Sequence, residues 1–274
     1  PTPEPSRHLQ RAVHGGSAVG KRCLDPVDKW HTAVLSGQDA GVRLLDAAAD
    51  LVLGARCAGC DAPAFGLCRV CTATLGGLVP AAVSRPVAGF PVTVAAGPYH
   101  SELRRVVLAA KERRALIQVP LLARLLAGAV AELLLRGEPR LPVTLVPVPS
   151  VRARVIERGI DLTAALAVGA GRHLRRCGVE VRVARAVRLA REPDDQAGLG
   201  RRERMVNSQG AYRCLPRLLS GSVVVIDDVV TTGATLAAVS ATLRTAGCVP
   251  FGAATVAQTQ RRGGLSAPAS LMDG

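Results

Sequence analysis

Aromatic side chains are nearly missing: they make up 2% of 274 residues, namely Trp30, Phe65, Phe90, Tyr99, Tyr212 and Phe251. Without rows of rings on which successive bases can stack, nucleic-acid binding of that kind is disfavoured. Lysine is scarce too. Of 35 basic residues only Lys21, Lys29 and Lys111 are lysines, and the rest are arginines. The planar fork of Arg suits phosphate and carboxylate, but these charges are scattered among abundant Ala, Val and Gly, so most of them read as compositional bias. A net charge of +14 still predicts attraction to polyanions such as nucleic acid or polyphosphorylated metabolites. An apolar leader is also lacking: the opening PTPEPSRHLQRAVHGG is polar, so no secretory signal is read. It begins without Met, so a start that lies elsewhere or was trimmed is expected. The greasiest stretch, Val119–Leu135, is interrupted by Pro120, Arg124 and Glu132 and reads as a buried helix rather than a membrane span. A soluble cytoplasmic protein without membrane insertion is expected. What the chain does have is 49% hydrophobic residues, which excludes wholesale disorder, and a length that suits one α/β core plus an accessory module.

Residues 1–40 show no sustained period and read as a disordered extension. Residues 41–80 read as a short helix plus a cysteine module. Within them GVRLLDAAADLVL, at 41–53, sets Val42, Leu45, Ala49 and Val52 at helical spacing. From residue 90 to 258 strand-like and helix-like runs alternate, as in an α/β sheet, and 259–274 is a tail. Strands are expected at 92–96, 143–147, 179–183, 223–227 and 251–256, and helices at 101–109, 121–135, 162–176 and 235–246. The short Val-rich runs read as parallel strands buried on both faces, and Gly247 sits where a helix should stop.

The segment CAGCDAPAFGLCRVC holds two CxxC pairs, Cys57 with Cys60 and Cys68 with Cys71, separated by seven residues. Each pair can form a knuckle that aims two thiolates at one ion, and Asp61, Pro63 and Gly66 supply the turn between them. Disulfides compete with this reading, but a cytosolic setting disfavours them, and a redox role needs only one CxxC. A four-cysteine Zn2+ site leaves no open coordination position, so the metal is expected to be structural. Cys23, Cys177, Cys214 and Cys248 are dispersed and read as small apolar or incidental residues.

The stretch 223–235, VVVIDDVVTTGAT, carries the most information. An apolar β-branched strand is expected to end at Asp227 and Asp228, followed by a Thr/Gly turn and a helix. Open parallel sheets bind ligands at the carboxyl ends of their strands. Gly233 allows close approach to a phosphate, the N–H groups of Thr231, Thr232, Gly233, Ala234 and Thr235 can surround it, and the helix adds its positive N-terminus. Two acids beside a phosphate need other partners, and ribose hydroxyls or hydrated Mg2+ fit that need. The features together describe a ribose 5-phosphate site. No Gly-Lys-Ser/Thr follows the strand, which excludes a Walker A loop.

These thirteen residues resemble, without a gap, the signature of type I phosphoribosyltransferases. Further segments resemble the ComF family, named for a competence protein of DNA uptake. They are the four cysteines, Tyr99 followed by a helix and Lys111, LVPVPSVRARVIERGID and AREPDDQAGLGRRERMVN. The resemblance implies a type I phosphoribosyltransferase fold, a parallel sheet flanked by helices with a flexible hood, over residues 90–258, beside a zinc module. It implies that Pro149, Ser150, Val151 and Arg152 meet the pyrophosphate of phosphoribosyl pyrophosphate (PRPP). It also implies that 191–207, with Gln196, Leu199, Arg204 and Asn207 at family spacing, form the hood, where Arg201, Arg202 or Arg204 would meet the leaving group. Ile160 and Asp161 depart from the family's aromatic and Asn after Arg158 and Gly159. Asp161 is then read as a cap on the next helix. Lys111 is read equally as a site residue or a solvated helix end.

The chemistry implied is displacement at the anomeric carbon of Mg-PRPP, in which the protein orients the sugar and neutralises the departing pyrophosphate. Asp227 and Asp228 would hold ribose hydroxyls or metal-bound water. No segment displays a purine, pyrimidine or ammonia pocket. An enzyme with an unidentified acceptor, a non-catalytic PRPP-binding regulator or adaptor that contacts DNA or DNA-processing proteins, and a generic nucleic-acid binder all stay open at this point.

Overall fold

A computed structural model of the chain describes residues 56–112, 116–190 and 211–260. The expected extension at 1–40, the helix at 41–53, the hood residues Gln196, Leu199, Arg201, Arg202, Arg204 and Asn207, and the tail past residue 260 lie outside the described residues.

Chain order runs α1 (Arg69–Gly76), β1 (Ala81–Val83), β2 (Thr93–Pro98), α2 (Ser101–Glu112), α3 (Val119–Leu135), β3 (Val143–Pro147), α4 (Arg152–Arg158) and α5 (Leu162–Arg176). It continues β4 (Val181–Val183), β5 (Val187–Leu189), β6 (Tyr212–Cys214), β7 (Val223–Val230), α6 (Ala234–Thr245) and β8 (Gly252–Gln258). The result is a mixed α/β structure on a six-stranded sheet ordered β1-β2-β8-β7-β3-β4, plus a separate β5-β6 ribbon. Only β1 runs antiparallel to its neighbour in the large sheet.

The Val-rich strands are buried on both faces because successive side chains enter different cores. Val94, Leu145, Val224, Ile226 and Ala254 join one cluster, with α2, α3 and α5. Ala95, Val146, Val223, Val225 and Ala253 join the other, with α6 and the ribbon. Val119–Leu135 is a helix with Pro at its start, and most of its apolar side chains are buried against α5, β8 and β2. Asp161 caps α5, its carboxylate accepting from the Ala164 N–H at 3.2 Å, as read from its departure from the family pattern.

Connection directions locate the useful edge of the sheet. From β3 the chain passes through α4 and α5 outward to β4, whereas from β7 it passes through α6 the opposite way to β8. Adjacent parallel strands whose connections depart in opposite directions leave a crevice at their carboxyl ends, and here that crevice lies between β3 and β7.

One expectation needs correction here. β7 does not end at Asp227; it runs to Val230. Its β3 partner stops at the Pro147–Ile226 pair, but β8 accompanies it as far as Val230–Gln258. The acids therefore stand inside the strand, where the sheet has lost one neighbour.

Candidate functional site

The cysteines converge. The four Sγ atoms lie within 4.8 Å of one another, and the set could hold a metal ion. Local geometry follows from the two knuckles. Cys57 Sγ accepts from the N–H groups of Gly59 at 3.4 Å and Cys68 at 3.2 Å. Cys68 is the N-cap of α1, accepting from Cys71 N–H at 3.5 Å, so the second CxxC straddles a helix start. Gly59 is required by close approach, because a Cβ there would lie 2.7 Å from Cys71 Sγ. Burial opposes ionisation of Cys57, Cys68 and Cys71. At Cys57 the N–H groups of Cys68, Cys60 and Gly59 outweigh that opposition and bring the thiol from its ordinary 9.0 down to about 7. At Cys68 and Cys71 burial wins and pushes the thiols up. Four thiols this close cannot all ionise without a cation among them, and a divalent ion removes that conflict. The module docks on the sheet domain through Arg105, which donates to Gly59 O at 2.9 Å.

The second candidate lies at the crevice. Asp227 and Asp228 are consecutive in a strand and so leave it on opposite faces. Asp228 meets α2, where Lys111 Nζ donates to Oδ1 at 2.8 Å with both side chains largely shielded. Asp227 Oδ1 accepts from the Asp228 N–H at 2.8 Å. Next comes the loop. Thr231 and Thr232 are exposed, while Gly233 is buried at φ 89, and a Cβ on it would sit 2.7 Å from the Phe90 ring. Thr232 Oγ1 accepts from Ala234 N–H at 3.3 Å, which rounds the turn into α6. Helix geometry leaves the first-turn N–H groups of α6 without helical acceptors and makes this end positive. Arg85 pins the loop from outside, donating to Thr231 O and Thr259 O, each at 2.7 Å.

Across the crevice, β3 leads into Pro149, Ser150 and Val151 and then α4, which buries none of its residues. Ser150 Oγ donates to Asp161 Oδ1 at 3.0 Å, and Arg185 lies 3.5 Å from Oδ2. The turn is thus tied to the cap of α5, while Arg152 is exposed. Beyond β4 the ribbon sets Ala190 against Ala211, with Ala190 N–H bonded to Ala211 O at 2.9 Å.

The structure therefore groups Asp227, Asp228 and residues 231–235 on one strand end, with Pro149 to Arg152 at the neighbouring end. Arg204 is outside the described residues. The sequence reading missed Arg85 and Phe90. Nothing marks Arg85 among so many arginines, whereas Phe90 belongs to a small set of aromatics and could have drawn notice. No family model matches the chain, and no curated protein does.

Proposed function

We propose that this chain is a ComF-like protein with a type I phosphoribosyltransferase fold, which binds Mg-PRPP as substrate and transfers its phosphoribosyl group with release of pyrophosphate. One observation carries the reading: a Thr-Thr-Gly loop and a pair of acids occupy the crevice where the strand connections reverse. In this reading the amides at 231–235 and the α6 N-terminus hold the 5-phosphate, and the Asp227 and Asp228 carboxylates accept from ribose hydroxyls or metal-bound water. The turn at Pro149 to Arg152 meets the pyrophosphate, and Arg204 neutralises it as it leaves. Lys111 and Arg85 act as positioning residues, one holding Asp228 and the other the loop.

The four cysteines fit Zn2+ by donor chemistry: soft thiolates, one from each of four close positions, and a closed shell that makes the ion structural. A second reading, a non-catalytic PRPP-binding regulator or adaptor in DNA uptake, draws support from Lys111. Its ammonium occupies the Asp228 oxygen that a hydrated cation would otherwise use.

Calorimetry with Mg-PRPP tests the site. Wild type should bind, and Asp227→Asn with Asp228→Asn should abolish binding while the fold persists; equal binding by the variant refutes the assignment. Pyrophosphate release on addition of one member of a panel of bases and amines selects the enzyme, and tight binding without release selects the regulator.

A further inference from the structure

On the face opposite α6, α3 and α5 pack side by side and leave between them a cleft of about 470 Å3. Its floor is apolar, formed by Val119, Pro120 and Ala123 of α3 with Ala165 and Val168 of α5. Its rim carries the cationic Arg172 and Arg176 on α5 and Arg185 beyond β4, with His173 between the first two. Arg172 and Arg176 stand one helical turn apart, the spacing at which like charges repel. Among the described residues neither has a carboxylate partner. The acid in the lining, Asp161, is already engaged by Ser150, Ala164 and Arg185. His173 records the local field: burial first, then the charges of Arg176 and Arg124, hold it below its usual 6.5. Its ring is therefore neutral at neutral pH and offers one donor and one acceptor.

A volume of this size falls in the range of small-molecule sites. A bare anion would leave the floor uncovered, and a neutral apolar molecule would leave the paired guanidiniums unmatched. Two guanidiniums one helical turn apart on the lining of one cleft suit the several oxygens of a phosphate. We propose that this cleft binds a small organic phosphate with a compact apolar or aromatic body, at a site separate from the loop after β7.

Naphthyl phosphate is a suitable probe because it carries the apolar body and the phosphate but no ribose hydroxyls for Asp227 and Asp228 to hold. The full chain is titrated calorimetrically with naphthyl phosphate, inorganic phosphate and naphthol. Naphthyl phosphate should bind one per chain, with the other two roughly tenfold or more weaker, since each lacks half of the recognition. Arg172→Ala with Arg176→Ala should weaken it by a similar factor, as should Val168→Glu, which sets an acid on the floor at a position already 37% exposed. Excess ribose 5-phosphate, which suits the loop and lacks the apolar body, should leave the affinity unchanged. No binding by wild type, equal binding of inorganic phosphate, affinity that survives both cleft variants, or displacement of naphthyl phosphate by ribose 5-phosphate would each overturn the proposal.

Discussion

The four-cysteine module and the sheet are held together by different means. Inside the module the buried cluster is Cys57, Ala64 and Cys71, too little apolar surface to offset the ordering of its loops. The sheet domain has two apolar layers, one on each face, contributed by nearly every strand and helix. Apart from Leu75 of α1, which is buried in the sheet's own cluster, stability in the first is concentrated in one set of four sulfurs, and in the second it is spread over many small contacts. Loss of a single feature should therefore disable the module entirely and wound the sheet only by degrees.

The largest effect is expected from removing the metal proposed for the four cysteines. Structural Zn2+ in small modules contributes on the order of 10 kcal/mol. Chelation, or Cys60→Ser, should release about one zinc per chain and open residues 57–76 while the sheet stays folded. Hydrogen exchange resolves the two regions. Protection that is unchanged at 57–76 after complete metal removal would break the comparison, and anaerobically purified protein without stoichiometric zinc would count against the ion's identity. On the other side, Ile226 is fully buried in the α3 face of β7. Ile226→Ala should cost about 2–5 kcal/mol of global stability in a urea titration, with the metal retained. A cost near zero would mean that the layer is not packed as described.

Next in size comes Gly233→Ala. Its φ of 89 and the Phe90 ring 2.7 Å from the would-be Cβ both oppose a side chain. The expected loss is about 1–3 kcal/mol, from strain and from displacing Phe90. This variant sharpens the contrast, because the strain sits at a loop and should raise exchange at residues 231–235 more than in the sheet interior. Uniform loss of protection would argue that the loop is part of the sheet's cooperative unit.

Legibility in the sequence followed element length and burial. The strands β2, β3, β7 and β8 are legible as short apolar runs buried on both faces, and the helices α2, α3, α5 and α6 by their apolar stripes; α5 is expected at 162–176, the span it occupies. The three-residue strands β1, β5 and β6 stand in no longer alternating run, whereas β4, equally short, ends the run VEVRV expected as a strand at 179–183; α4 buries nothing, so it carries no stripe. Helix α1 was hidden under the spacing of the cysteines. The strand end at β7 was misjudged because β8 sets it, and no local feature of 227–230 reports on that neighbour. In the site, the run of Asp, Thr and Gly was legible because its chemistry is local. Lys111 stood out only by rarity, and its partner lies 117 positions away. Arg85 reaches Thr231 from 146 positions off and leaves no trace in the pattern.

The smallest effect is expected at His173, where the sheet domain has an acid sensitivity of its own. Burial, then Arg176 and Arg124, lower the pKa of this imidazole in the folded chain below its ordinary 6.5. Between that lowered value and 6.5 the unfolded chain binds more protons, so stability rises with pH through this window. Stability is present in full above 6.5 and is lost as the pH falls. His173→Gln removes the titration, so urea midpoints of the variant should drop less than those of wild type as the pH falls below 6.5. Arg176→Gln should recover only part of that difference, because burial is the larger cause. Parallel pH profiles for wild type and His173→Gln would show that the ring is already free to charge in the fold, and the positive field assigned to this end of α5 would then have no measurable weight.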